Sequence, residues 1–285
     1  MYEKEITRCH RTAFIIAIDQ SQSMLEEVCL YGKAMPKAEA VAKITDCLIT
    51  ELILRAKRDE KIRDYYDIAV LGYSDDEVYP LIDPKRYFIP VSEFYSYKHS
   101  QSSSTIERLL PDGTLRQHTE CMVSWIPPKA SGNTPMYEAM MQIRDLIAEW
   151  CSKPQNADSF PPIIFNITDG ICSDCSEDEL RSITEQIRSF STGDGNVLLL
   201  NIHLASGSTS RSIIFPSDSD IDPDDHSMHL LADCSSFMPE AFNELILTQR
   251  GCWALPPFRA MSYNASLTEL ITMLCIGSRS ITNLS

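Results

Sequence analysis

An α/β fold with a doubly wound, mainly parallel central sheet flanked by helices is predicted by two observations. Short apolar, β-branched-rich runs alternate along the chain with stretches of helical period, the pattern of a parallel sheet covered on both faces. The run at 163–168, Ile-Ile-Phe-Asn-Ile-Thr, carries apolar residues on both sides, as a central strand buried on both faces requires. With 285 residues and 44% hydrophobic composition, the chain can bury a substantial core. One domain over residues 1–285 is expected, with its core at about 12–278.

The elements follow in order. Residues 13–18 read as the first strand, and 36–56 as a helix whose Val41, Ile44, Leu48 and Leu52 make one apolar stripe. Residues 67–72 read as strand two. The stretch 77–97 is rich in β-formers but broken by Pro80, Pro84 and Pro90, which predicts an edge hairpin or irregular excursion. From Pro135, residues Met136, Met140, Ile143 and Ile147 define a second helical stripe, with Pro135 in the first turn and Thr134 as its cap. Ser176 and Glu179 have the spacing of a capping box, opening a helix with Leu180, Ile183 and Ile187 on its inner face. Residues 197–204 read as the next strand. The serine-rich, acidic stretch 205–235 reads as a long loop, followed by a short helix near 239–248, a strand near 252–255 and a final helix at 266–276.

Charge and composition narrow the function classes. A net charge of −15 argues against non-specific binding to nucleic acid or anionic lipid, which needs a basic face. The first ten residues carry Glu3, Lys4, Glu5 and Arg8 and hold no signal-type apolar stretch, and the runs 13–18 and 162–167 are far shorter than the roughly 20 residues that span a bilayer. Ten scattered cysteines in a chain of this size do not suggest a disulfide framework. A cytoplasmic protein without membrane or nucleic-acid partners is the expectation.

In open α/β sheets ligands bind beyond the carboxyl ends of the strands. Three turns there share one composition: Asp19-Gln20-Ser21-Gln22-Ser23 after the first strand, Gly132-Asn133-Thr134-Pro135 before the Met136 helix, and Thr168-Asp169-Gly170 after the central strand. Asp19-x-Ser21-x-Ser23, Thr134 and Asp169 together resemble the metal-ion-dependent adhesion site of von Willebrand factor A domains. The resemblance spans roughly residues 12–278 and implies the Rossmann-like fold of that family. It also implies hydroxyl ligands from Ser21, Ser23 and Thr134, carboxylates from Asp19 and Asp169, and a partner protein whose Glu or Asp completes the metal shell. An oxygen-only donor set with few carboxylates suits a hard cation, Mg²⁺ or Mn²⁺. Two carboxylates about 5 Å apart repel by roughly 3 kcal/mol at an effective dielectric near 20, so without a cation one is expected to protonate or swing away. One departure stands out: the glycine usual between the two serines is Gln22. Softer matches at 215–217, 235–239, 264–265 and 274–277 resemble stand-alone bacterial members, a group associated with kinases, PP2C-type phosphatases and stress or defence systems.

Other motifs read as structural. Cys172-Ser173-Asp174-Cys175 has C-x-x-C spacing, but no second pair follows to complete a tetrahedral zinc shell, so an inert pair is expected. Asp218-x-Asp220-x-Asp222 imitates a calcium loop, with Pro223 where glycine belongs and His229 where the bidentate Glu belongs. His10, His99, His118, His203, His226 and His229 are dispersed, and Trp125, Trp150 and Trp253 read as packing residues. The leading expectation is a binding module with no catalytic residues. An Mg²⁺-dependent phosphatase-like hydrolase using Asp19 as nucleophile and a scaffold with an unliganded site are the alternatives.

Overall fold

In the computed structural model, which describes residues 2–30, 32–98, 100–109, 115–170, 172–205, 212–250 and 254–277, the chain builds a mainly parallel sheet with helices on both faces. In chain order the elements are β1 (Thr12–Asp19), α1 (Lys37–Ala56), β2 (Tyr66–Ser74), β3 (Glu77–Pro80), α2 (Met136–Ser152), β4 (Ile163–Thr168), α3 (Glu177–Ser189) and β5 (Leu198–Leu204). They continue with β6 (Ile213–Ile214), α4 (His226–Asp233), α5 (Asn243–Arg250), β7 (Met261–Ala265) and α6 (Leu267–Gly277). The strand order is β6-β7-β5-β4-β1-β2-β3. β1, β2, β4, β5 and β7 run parallel, and the edge strands β3 and β6 run antiparallel to their neighbours.

Burial explains why these residues choose this arrangement. β1 is buried along its whole length, and its side chains alternate between two cores. Phe14, Ile16 and Ile18 pack with α1 and α6, while Ile15 and Ala17 pack with α2 and α3. The expected helical stripes are the buried ones: Val41, Ile44, Leu48 and Leu52 on α1, Met136, Met140, Ile143 and Ile147 on α2, and Leu180, Ile183 and Ile187 on α3. Asn166 is the polar residue in the middle of β4. It accepts the Tyr73 hydroxyl at 2.9 Å, across the small Ala17 of β1, and donates to Asn201 Oδ1 at 3.0 Å. A fully bonded polar line therefore crosses the apolar sheet beneath its carboxyl edge.

Several expectations need correction. The 77–97 stretch is an edge hairpin as far as β3, then returns as a short antiparallel strand at Ile89–Pro90 and a 3₁₀ turn at Val91–Tyr97. The sequence left 100–124 without an element, and the structure makes it an antiparallel hairpin of Ser100–Leu109 with Leu115–Ser124, separate from the main sheet. The 205–235 stretch is not a loop throughout. Its described part holds β6, a 3₁₀ turn at Asp218–Asp220 and α4, an eight-residue helix that buries Met228 and Ala232 in one cluster and Leu230 in another, too short to show a clear period. The strand expected near 252–255 lies instead at β7. Cys252 and Trp253 lie outside the described residues, and Pro256 and Pro257, which have no N–H to donate, delay the strand to the buried run that begins at Ala260. The capping box of α3 and the short helix at α5 match the sequence.

Candidate metal centre

Moving outward from β1, chain order runs one way through β2 and β3 and the other way through β4 and β5, so the topological switch point lies between β1 and β4. The turns that leave these two strands carry four of the five expected site residues. Asp19 ends β1 and is buried, with both carboxylate oxygens engaged. Oδ1 accepts the backbone N–H of Ser21 at 2.8 Å, and Oδ2 accepts the Thr168 hydroxyl at 2.6 Å. Burial raises the Asp19 pKa above the usual carboxylate range, the bonds from Ser21 and Thr168 pull it down, and the charge of Asp169 adds to the rise.

A chain of hydroxyls links the turns. Ser23 Oγ donates to Asp169 Oδ1 at 2.6 Å, which leaves Ser21 Oγ to donate to Ser23 Oγ at 3.0 Å. Ser23 and Gln22 are exposed at the rim, whereas Ser21, Asp19 and Asp169 are buried. The site is therefore lined by oxygen at depth and opens to solvent over the Ser23 turn.

Thr134 comes in on a third segment stitched to the first. Gln22 N–H donates to Gly132 O at 3.0 Å, and Ser131 N–H donates to Gln20 O at 2.7 Å. Gly132 has φ +66°, and a Cβ there would stand 1.8 Å from Asp75 Oδ1, so this turn requires glycine on both counts. Thr134 does not cap α2, contrary to expectation. Pro135 takes the cap position without a side-chain bond, and the orphan N–H groups of Tyr137 and Glu138 donate to the two oxygens of Asp174, each at 3.0 Å. The Thr134 backbone is clamped by Ser173: its N–H donates to Ser173 Oγ at 3.2 Å and its carbonyl accepts the Ser173 hydroxyl at 2.9 Å. Its own hydroxyl is thereby released from capping duty.

Gly170 supplies the space between them. A Cβ on Gly170 would lie 3.4 Å from Thr134 Oγ1 and 4.0 Å from Asp19 Oδ2, so the missing side chain opens a cradle between those two oxygens. The donor set of two carboxylates and three hydroxyls is entirely hard oxygen, and with that cradle it fits a small divalent cation better than a soft one.

Sequence reasoning missed Lys37. Its side chain is 1% exposed, and the ammonium pairs with Asp169 Oδ2 at 3.0 Å and Glu26 Oε2 at 2.5 Å. The expected electrostatic penalty of two bare carboxylates is thus answered by an internal cation, and neither Asp19 nor Asp169 swings away. The signal was present but local: a lysine at the first position of α1 opposes the helix dipole, where acids are preferred. Buried lysine is rare unless paired.

The remaining motifs resolve as ordinary structure. Asp220 pairs with Arg250 at 3.0 Å and accepts from Ser217, while Asp218 pairs with Arg259, so the acidic run forms a capped turn rather than a calcium loop. Trp125 and Trp150 are buried and donate to Phe94 O and Asp67 Oδ2. Among the described residues no histidine joins a metal-like cluster; His99 lies outside them. No described helix is long and apolar enough to cross a membrane.

No protein-family model and no curated protein matches the chain. Among solved structures it is similar to a von Willebrand factor type A protein from Catenulispora acidiphila, at 13% identity and TM-score 0.41 over 69% of this chain and 34% of that one. It is also similar to the vWF domain of the type V pili tip protein Mfa5 from Porphyromonas gingivalis, at 14% identity and TM-score 0.31 over 57% of this chain and 39% of that one. An uncharacterized membrane spanning protein from Vibrio fischeri matches at 12% identity and TM-score 0.28 over 85% and 98% of the two chains. The match thus spans between a third and two fifths of the first two structures' own length.

Proposed function

We propose that this chain is a metal-dependent protein-interaction module. A divalent cation, Mg²⁺ or Mn²⁺, held by Asp19, Ser21, Ser23, Thr134 and Asp169, takes an acidic residue from a partner protein. The observation that carries this reading is the hydroxyl chain from Ser21 through Ser23 to Asp169, which brings the β1 and β4 turns together at the switch point of the sheet. When bound, the ion would supply a position of positive charge able to accept a partner carboxylate.

The protein's own residues divide the remaining work. Asp19 is fixed by Ser21 and Thr168, so its position is set before any ion arrives. Asp75, Gly132 and Ser173 fix the segment that presents Thr134. Exposed Gln22 lies at the rim where a partner would approach. A chain of net charge −15 repels acidic surfaces in general, so attraction of a carboxylate depends on the local cation and is confined to this opening.

Binding is favoured over phosphoryl transfer because Asp19 is buried and held in place by Ser21 and Thr168, which suits a stationary ligand and not a nucleophile that must reach a phosphorus. The test uses Mn²⁺ itself. Titration followed by the free-ion electron paramagnetic resonance signal should show Mn²⁺ bound by the wild type, displaced by Mg²⁺ and lost in Asp19→Ala and Asp169→Ala. Acetate, as the simplest carboxylate, should then lower the water-proton relaxation enhancement by replacing bound water. Equal Mn²⁺ binding by the doubly substituted chain would remove the reading.

A further inference from the structure

A second cluster of ligating side chains lies beside the first and shares none of them. Cys172 Sγ, Cys175 Sγ and a carboxylate oxygen of Asp174 lie within 4.8 Å of one another. The two sulfurs are 3.0 Å apart, and Cys172 Sγ is 3.0 Å from Asp174 Oδ1. Asp174 is exposed and both thiols are partly so, which leaves the group accessible to an ion from solvent. The spacing alone left this pair inert for want of further ligands. The structure supplies the third in the residue between them.

We propose that Cys172, Asp174 and Cys175 bind a thiophilic divalent cation of the zinc class, as a site distinct from the hard-oxygen centre. The ligand types fit: thiolates and carboxylates are both zinc donors, and with three protein ligands the fourth tetrahedral position is filled by water. The geometry needs little change. With each Zn–S bond at about 2.3 Å and a tetrahedral angle, the sulfurs sit about 3.8 Å apart, an opening of less than 1 Å. On binding, both thiol protons pass to bulk water and two S–metal bonds form, with no oxidant consumed. Without an ion, burial holds both thiols above their ordinary pKa, and the neighbouring Asp174 charge adds to the rise.

The position of the cluster gives it a consequence. Ser173, between the ligands, holds both backbone groups of Thr134, and Asp174 carries the first N–H groups of α2. An ion bound to Cys172, Asp174 and Cys175 fixes the turn that positions a residue of the hard-oxygen centre.

Co²⁺ tests this directly, because cobalt bound by thiolates gives a strong near-ultraviolet charge-transfer band, and cobalt bound only by oxygen does not. The reduced, chelator-stripped full chain titrated with Co²⁺ should develop that band with single-site saturation, and Zn²⁺ should abolish it. Cys172→Ser and Cys175→Ser should each erase it while keeping the wild-type circular dichroism. Asp174→Asn, which keeps one acceptor oxygen for the α2 N–H groups, should weaken Co²⁺ binding by roughly tenfold or more. The Asp19→Ala, Asp169→Ala chain should retain the band, separating this site from the other. The proposal is overturned by a reduced wild type that gives no band, by a band that survives in Cys172→Ser, or by loss of both free thiols to a disulfide in place of the band.

Discussion

The ammonium of Lys37 lies 3.0 Å from Asp169 Oδ2, while Oδ1 of the same carboxylate takes the Ser23 hydroxyl at 2.6 Å. Asp169 therefore has a cation of its own, built into the first turn of α1, and the divalent ion proposed for this site would have to share the carboxylate with it. A unit charge about 6 Å from a dication repels it by roughly 5 kcal/mol at an effective dielectric near 20, an upper bound for a site open to solvent.

Lys37→Gln is expected to raise Mn²⁺ affinity tenfold or more, because that repulsion disappears. The same substitution breaks a buried ion pair and should lower the stability of the ion-free protein by about 3 kcal/mol. Paired Mn²⁺ titration and thermal unfolding check this; unchanged affinity would mean that the ammonium does not compete with the ion.

Gly170→Ala places a methyl 3.4 Å from Thr134 Oγ1 and 4.0 Å from Asp19 Oδ2. Both distances are ordinary contacts, and the backbone of Gly170 has no left-handed φ to forbid alanine. The fold should survive with a melting temperature close to the wild type, while Mn²⁺ affinity falls because the methyl occupies the cradle. A variant that binds Mn²⁺ as tightly as wild type would show that the ion, if bound, does not use this space.

Gly72→Ala and Gly132→Ala should differ, although both glycines meet a side chain. At Gly72 the new Cβ would be 2.3 Å from Gln20 Oε1, the end of a flexible side chain that can turn away at the loss of its 2.6 Å bond from Tyr79. That costs about 1 kcal/mol. At Gly132 the backbone is left-handed, and the Cβ would stand 1.8 Å from Asp75 Oδ1 and 2.9 Å from Asp75 Cα. Strain and clash together should cost at least about 2 kcal/mol and loosen the stitch to Gln20 and Gln22. Chemical denaturation of the two variants measures the difference.

The central strands and three of the main helices were legible in the sequence because their signals are regional. β1 and β4 are runs of apolar residues, and α1, α2 and α3 carry complete stripes, so no tertiary knowledge was required. The site's carboxylates and serines were legible because they follow those strands directly. What escaped depends on contacts between distant residues. Lys37 is 132 residues from Asp169, and Asp174 takes over the capping of α2 from a turn 37 residues away. α4 and β6 escaped for another reason: elements of eight and two residues are too short for periodicity to separate from a polar loop.

Asp46 offers a test of the packing that is independent of any ion. It sits on α1, 6% exposed, and its Oδ1 accepts the backbone N–H groups of Trp125 at 3.0 Å and Ile126 at 3.2 Å, tying the helix to the end of the 100–124 hairpin. Burial raises its pKa from 3.8 to about 6, only partly offset by those bonds. Between about pH 4 and pH 6 the folded state therefore holds a proton that the unfolded state has released, and stability falls as pH rises through that window, by about 3 kcal/mol in total. Asp220 acts with the opposite sign and at lower pH. Burial raises its pKa, but the hydrogen bonds from Arg250 and Ser217 and the Arg250 charge together outweigh that and lower it to about 2, so its contribution is present above about pH 4 and is lost as pH falls toward 2. Asp46→Asn keeps an oxygen for both N–H groups and cannot ionise. Its melting temperature should match the wild type near pH 4 and exceed it progressively up to about pH 7. Parallel melting curves for the two proteins across pH 4–7 would mean that Asp46 is hydrated in the folded state and that the contact between α1 and Trp125 is looser than the structure places it.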